Sequence, residues 1–280
     1  MMKYPLLAAT MATLVLLAAT PTQAQVTPGA LYDVRASNNP GGPNSLTNLG
    51  TAGGAQVPIE QGGGAAAAPP ARTPDGHYSY WDVQAVDTTW SEISGNSPIN
   101  IPAGNGYTYE IFLRQTGTGF GGTDNMVSAI ESNGNVKAFL LTRDGTDDFA
   151  LDIEITDFVS QERVLDFAAT PQNEWTHVIY KLDPVADTFT TYVNGGGPTV
   201  TNLANDYTLP TTDINNLSLF KWRGGEGGNN RFDGDIGAAR FYNFLLTDQQ
   251  ALDNYLATVP EPSTVVLSLL SLGLIGWRRR

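Results

Sequence analysis

The chain predicts an all-β fold, two packed antiparallel sheets closed by one short helix, and three observations carry that expectation. Tyr107, Tyr109, Ile111 and Leu113 alternate with Thr108, Glu110, Phe112 and Arg114, which is the two-residue period of a strand. Further short apolar runs recur down the chain, separated by Gly, Asn, Asp and Pro at turn-like spacing. One convincing helix signature stands near the end, where Thr247 and Gln250 have capping-box spacing and Leu252, Tyr255 and Leu256 supply an apolar face.

Taken in order, the chain begins with Lys3 ahead of an apolar stretch from Leu6 to Ala19, and Thr22-Gln23-Ala24 offers a cleavage point before Gln25. Residues 1–24 therefore read as a signal peptide, a permanent anchor being the alternative. Leu31-Tyr32-Asp33-Val34 and Tyr78 to Val86 look strand-like. Between them, Asn38 to Ala71 is rich in Gly, Ala, Pro and Asn and reads as loops joining short strands, or as a disordered linker. Met126–Glu131 and Val136–Thr142 form a hairpin pattern across Asn133-Gly134, residues that tolerate positive φ. Phe149, Leu151, Ile153 and Ile155 then place an apolar face opposite Asp152, Glu154 and Thr156. A second hairpin runs from Trp175–Leu182 to Thr188–Asn194 across Asp183-Pro184-Val185-Ala186-Asp187. Leu217–Trp222 and Gly237–Tyr242 complete the strands.

The body, residues 25–258, is long enough for one large core, and a sandwich of that size commonly stays a single domain. Removing Lys3, Arg278, Arg279, Arg280 and Glu261 from 15 basic and 28 acidic side chains leaves 11 and 27, a net of −16. Such a surface repels the phosphate backbone and anionic lipid, so no nucleic acid is expected as a partner, while calcium and neutral glycans are compatible with it. A merely solvated acidic surface is the plainer reading. The absence of cysteine excludes disulfides, thiolate catalysis, lipoprotein acylation and zinc–thiolate sites.

The last residues, 259–280, form an address rather than part of the fold. Val259-Pro260-Glu261-Pro262 cannot continue a helix, since both prolines hold the backbone extended. The apolar run Ser263–Trp277 hides its peptide groups only as a helix in lipid, and Arg278, Arg279 and Arg280 hold its far end in the cytoplasm. Fifteen residues at ~1.5 Å each reach only ~22 Å of a ~30 Å hydrocarbon core, which suits transient inner-membrane retention better than permanent anchorage. This tripartite end resembles the PEP-CTERM sorting tag. That resemblance implies export through the Sec machinery, handling by an exosortase-type enzyme, and a cell-surface or extracellular destination. An ordinary C-terminal anchor is the alternative.

Three stretches resemble the LamG-like, concanavalin A-like superfamily. They are Glu174-Trp175-Thr176-His177-Val178, Thr191-Tyr192-Val193-Asn194-Gly195, and Phe232-Asp233-Gly234-Asp235-Ile236 followed by Arg240-Phe241-Tyr242-Asn243. The resemblance implies a jelly-roll sandwich in which the tryptophan strand pairs with the Tyr-x-Asn-Gly strand and a short helix follows the last strand. On this reading Trp175 fills the inter-sheet core, Asn194 and Gly195 make a turn, and His177 packs within its strand. The expected function is non-catalytic contact with exopolysaccharide or other extracellular polymers, or a purely structural matrix role.

The candidate sites follow from these readings. In the loop Trp222-Arg223-Gly224-Gly225-Glu226-Gly227-Gly228-Asn229-Asn230-Arg231, Trp222 can stack on a sugar, and Arg223, Glu226, Asn229 and Asn230 can bond its hydroxyls. Because Trp222 shares strand parity with Phe220, a core role is the alternative. LamG-like domains often hold calcium at a loop rim, and Asp144, Asp147 and Asp148 are the candidate hard-oxygen ligands, with ordinary turn-forming aspartates as the other account. The superfamily's laminarinase-type hydrolases carry a Glu-x-Asp-x-Glu-like row. Its nearest approach here is Asp152 and Glu154, ~6.6 Å apart along one strand face, with Thr156 in the third place. A polar outer face explains the same pattern, and no catalytic residues are assigned.

Overall fold

The computed structural model describes residues 26–36, 45–51, 56–61, 72–75, 78–83, 89–92, 99–100, 105–116, 128–132, 136–143, 151–156, 161–166, 173–204, 213–219 and 234–259. In chain order the first strands are β1 (Tyr32–Arg35), β2 (Ser45–Thr47), β3 (Gln56–Gln61), β4 (Arg72–Asp75), β5 (Tyr78–Val83), β6 (Thr89–Glu92) and β7 (Ile99–Asn100). Then come β8 (Tyr107–Gln115), β9 (Ser128–Ser132), β10 (Val136–Arg143), β11 (Leu151–Thr156) and β12 (Gln161–Asp166). The last are β13 (Trp175–Asp183), β14 (Thr188–Val193), β15 (Thr199–Asn202), β16 (Asp213–Leu219), β17 (Gly234–Tyr242) and the helix α1 (Asp248–Thr258).

The strands form two antiparallel sheets of a jelly-roll sandwich. One runs β15-β14-β13-β8-β17-β5-β4, with β1 also on β17; the other runs β12-β11-β10-β9-β16-β6-β3-β2, with β7 also on β16. Both hairpins read from the sequence are present, as β9–β10 and β13–β14. Strands β2 and β3 fall in the Gly- and Ala-rich stretch. Strands β12 and β15 carry no clean apolar alternation and were not expected.

In the first sheet, register sorts the side chains onto two unlike faces. Tyr107, Tyr109, Ile111 and Leu113 lie beside Val178, Tyr180, Leu182, Ile236 and Phe241, all buried. This is the aromatic core face, with Tyr109 on Tyr180 at 5.2 Å and Tyr107 on Phe241 at 5.7 Å between ring centroids. Each such side chain contributes about 1.5–3 kcal/mol by leaving water. The opposite face carries Thr108, Glu110, Phe112 and Arg114 beside Trp175, His177, Ile179, Lys181, Arg240 and Tyr242.

Trp175 thus belongs to the outer face, which corrects the expectation that it fills the inter-sheet core. It stacks on Phe112 at 4.5 Å and lies beneath the Arg114 guanidinium at 4.9 Å. Room for the stack comes from Gly237, where β17 slips register against β8; a Cβ there would meet Phe112 Cδ1 at 2.7 Å.

Helix α1 covers much of this outer face. Thr247 Oγ1 accepts from the Gln250 N–H while the Gln250 side chain accepts from the Thr247 N–H, so the capping box is present as read. The buried helical face differs from the expected one. Ala251 and Asn254 are buried, whereas Leu252 and Leu256 are more than a third exposed. Ala251 lets the helix approach Ile179, Tyr192, Tyr242 and Leu246, with Ala30 and Phe244 at the edge, forming a second small apolar cluster.

Candidate functional site

A polar cluster lies between the outer sheet face and α1. Register sets Glu110 of β8 opposite Arg240 of β17 and Ile179 of β13, with His177 diagonal to it two residues along β13, and sets Arg240 opposite Asp33 of β1. Arg240 Nη1 donates to Glu110 Oε1 and, at 2.8 Å, to Thr258 Oγ1, while its Nε donates to Asp33 Oδ1 at 3.1 Å. Arg35 binds the same Asp33 carboxylate. His177 Nε2 is 2.9 Å from Glu110 Oε1, and an ionised carboxylate only accepts, so that nitrogen carries the proton.

Asn254 completes the cluster from the helix. Its Nδ2 donates to Glu110 Oε2 at 2.7 Å and to the Tyr242 hydroxyl at 2.9 Å, and its Oδ1 accepts the Thr27 N–H at 2.7 Å. One buried amide therefore ties the backbone at Thr27 to α1 and, through Glu110 and Tyr242, to β8 and β17. Burial pushes the Glu110 carboxyl up. The Arg240 charge, the His177 contact and the Asn254 hydrogen bond outweigh that and hold it at about 2 instead of 4.5. Burial would lower Arg240, but the Glu110 and Asp33 charges raise it. Burial, then the Glu110 charge, raises the Tyr242 phenol.

Glu110 and His177 are each about 1% exposed, and the Glu110 carboxylate is taken up by Arg240, His177, Asn254 and Thr258. Such a pair does not reach a substrate proton, whatever its resemblance to a base and its orienting carboxylate. Its role is to lock the helix onto the sheet. His177 thus does more than pack within its strand. Sequence reasoning also missed Glu110, Asp33, Arg240 and Asn254 as a unit. The available signal was charge on the alternate positions of otherwise apolar strands.

Beside the cluster, a cleft of about 220 Å³ opens between α1 and the end of the β13–β14 hairpin. Its walls include Tyr192, Gly195, Gly196, Gly197, Pro198, Asp248, Gln249, Leu252 and Tyr255, with His177 and Ile179 beneath. Asn194 and Gly195 adopt positive φ of 49° and 70°, the turn expected of them. The Asn194 side chain accepts the His177 N–H at 2.8 Å, and its own N–H returns to the His177 carbonyl at 2.9 Å. On the opposite wall, Asp248 Oδ1 accepts from the Tyr192 hydroxyl at 2.6 Å and from Lys181 Nζ at 3.4 Å. The Tyr192 hydrogen bond lowers the Asp248 carboxyl, keeping it ionised.

Several sequence candidates fall outside the described residues: Trp222, Arg223, Glu226, Asn229 and Asn230; Asp144, Asp147 and Asp148; and Pro260 to Arg280. Val259 caps α1 in an extended conformation, its N–H on the Tyr255 carbonyl at 2.8 Å. Asp152 and Glu154 lie two apart on β11, facing Asp166 and Arg163 of β12 across a register shift. Among the described residues no group of three or more acidic, His or Cys side chains is arranged to hold a metal, and no helix is long and apolar enough to cross a membrane.

Residues 87–251 match the family described as the concanavalin A-like lectin/glucanases superfamily, and residues 258–280 match the PEP-CTERM protein-sorting motif. No curated protein matches the chain. Among solved structures it resembles the binding domain of botulinum neurotoxin DC in complex with rat synaptotagmin II, with a TM-score of 0.59 at 10% identity over 83% of this chain and 52% of that one. It also resembles the binding domain of Paraclostridial mosquitocidal protein 1, with a TM-score of 0.58 at 12% identity over 81% and 52%. The Trypanosoma rangeli sialidase in complex with difluoro-KDN aligns with a TM-score of 0.51 at 12% identity over 83% and 33%. The chain thus spans about half or less of the length of these structures, and at such identities the likeness concerns the fold alone.

Proposed function

The chain belongs to the concanavalin A-like lectin/glucanase superfamily and ends in a PEP-CTERM sorting motif, and from this premise we propose that it is a non-catalytic glycan-binding protein of the cell surface or extracellular matrix. The motif makes it an exported protein sorted by an exosortase. The observation carrying the non-catalytic reading is the buried Glu110–His177 pair: within the described side chains, this acid–base contact is spent on holding α1. Under this proposal the 222–230 loop, through Trp222, Arg223, Glu226, Asn229 and Asn230, contacts polymer, and Asp144, Asp147 and Asp148 are the residues that would hold calcium at a rim. The tail serves as a transient inner-membrane handle.

The test incubates the protein, isolated as cells release it, with insoluble polysaccharides, with and without calcium. Retention without new reducing ends is the expected result, weakened severalfold in Trp222→Ala. Reducing ends that appear and vanish in Glu154→Gln would establish the hydrolase alternative based on Asp152 and Glu154; no retention on any polymer would leave a structural role. For sorting, mass spectrometry is expected to find the released form lacking the Arg278–Arg280 end. Alanines at Pro260, Glu261 and Pro262 should leave the full chain cell-associated. An intact Arg280 in every released molecule would defeat this expectation.

A further inference from the structure

Resting on the glycan-binding reading, we propose that the cleft between α1 and the Gly195-Gly196-Gly197-Pro198 turn is a binding subsite for a single neutral pyranose ring, separate from the 222–230 loop. Its volume of about 220 Å³ lies below the ~300–1,000 Å³ of pockets that enclose drug-sized ligands. One ring fits it, as a chain end or a side branch, and an extended oligosaccharide does not.

The lining has the two kinds of surface a pyranose needs. A sugar ring has an apolar C–H face and a rim of hydroxyls in fixed directions. Tyr255, Leu252 and Pro198 provide apolar wall, with Leu252 38% exposed although it sits in the cleft. Asp248 provides a planar acceptor on the first turn of α1, and Gln249, whose Nε2 donates to Asp253 Oδ1 at 2.9 Å, provides its carbonyl oxygen and a second amide hydrogen. Asp248 is held in place from behind, since the Tyr192 hydroxyl and Lys181 Nζ both grip its Oδ1, and Lys181 lies over the Tyr192 ring at 4.9 Å. A pre-oriented carboxylate of this kind loses little freedom on accepting hydroxyl hydrogen bonds.

Charge selects among sugars. The ionised Asp248, on a body of net −16, repels uronates and sulfated or sialylated rings. A purely apolar guest would strip water from Asp248 and Gln249 without replacing their hydrogen bonds.

Gly197 offers a direct test. A Cβ there meets nothing within 4 Å, and Gly197 does not take the positive φ that disfavours a side chain. Gly197→Trp therefore adds a large side chain to a residue that lines the cleft, one whose Cβ meets none of the packed faces. The experiment uses the full chain in a detergent without a sugar headgroup, titrated with methyl glucoside, methyl galactoside, methyl mannoside and glucuronate. Saturation-transfer NMR and calorimetry are the readouts, with thermal unfolding as the fold control.

At least one neutral glycoside is expected to bind saturably, glucuronate at least tenfold more weakly. Gly197→Trp should abolish binding with an unchanged unfolding midpoint, Gln249→Ala should weaken it several-fold, and Val185→Ser, an exposed turn position outside the cleft, should leave it intact. Glycoside binding that survives Gly197→Trp overturns the cleft as the site while leaving glycan recognition standing. No glycoside binding by a wild-type protein that polysaccharide still retains also overturns it. If neither is bound, both this inference and the reading beneath it fail.

Discussion

Glu110→Gln is expected to destabilise the folded protein by about 3–5 kcal/mol, the usual cost of removing one partner from a buried ion pair. For a domain of this size each kcal/mol corresponds to roughly 2–4 °C, so the unfolding midpoint should fall by about 6–20 °C. The substitution keeps the side chain's shape but leaves the Arg240 charge, 2% exposed, with Asp33 as its remaining carboxylate partner. It also turns one carboxylate oxygen into an amide donor, so either the Oε1 position that meets His177 and Thr258 or the Oε2 position that accepts from Asn254 loses its acceptor. The loss should be localised, with α1 releasing first in hydrogen exchange, since the cluster is what joins that helix to β8 and β17.

The same group sets an acid limit. Its folded value, about 2, lies below the ordinary 4.5, so the folded state binds this proton less readily than the unfolded chain. The resulting stability is fully present above about 4.5, declines as pH falls, and is gone once pH passes below about 2. Wild-type stability should fall between these limits in chemical denaturation. Glu110→Gln should flatten that part of the profile. A variant as pH-sensitive as the wild type would show that other carboxylates govern the acid transition.

Gly195→Val carries the second large effect, an expected loss of about 2–6 kcal/mol measured by urea unfolding. Two costs combine. The φ of +70° places a β-branched residue in the left-handed region, about 1–3 kcal/mol. The added Cβ would also stand 2.4 Å from Tyr255 Cδ1, and overpacking of this kind costs about 1–3 kcal/mol. Tyr255 cannot simply yield, because its ring packs against His177 at 5.6 Å and its carbonyl caps α1 through Val259. Asn194→Ala, which loses the hydrogen bond from the His177 N–H to the side chain but keeps the backbone bond to the His177 carbonyl and keeps Gly195, should cost less. Equal stability of Gly195→Val and wild type would mean that α1 does not press on this turn.

The strands legible in the sequence are those whose two faces meet different surroundings. Tyr107 to Leu113 alternates because one face enters the aromatic core, and the β13–β14 hairpin was marked by Asp183, Pro184 and Asp187 at its turn. Asp183 Oδ1 accepts the N–H groups of Val185 and Ala186, each at 3.0 Å, while Asp187 takes a φ of 49°. Strand β15 was invisible because it is an edge strand with mostly exposed side chains, so burial imposes no period on it. Trp175 was misplaced for a related reason: a large aromatic residue argues for burial, yet nothing local says which face of the sheet another element will cover.

The helix shows the same limit. Thr247 and Gln250 specified where it begins, since capping is chemistry between residues three apart. They did not specify which side it buries, and Leu252 and Leu256 stay partly exposed while Asn254 goes under. That choice was made by Glu110, Tyr242 and Thr27, 144, 12 and 227 residues away along the chain.

From residue order alone come the β class, the hairpin turns, the helix cap and the sorting motif, because each depends on neighbours within a few positions or on solvent at one face. Tertiary structure alone decided that Glu110, His177, Arg240 and Asn254 form one buried lock, and that Asp248 and Tyr255 meet the Gly195 turn around a cleft. Long-range register brings those groups together, and no local preference records which distant strand supplies the opposite charge.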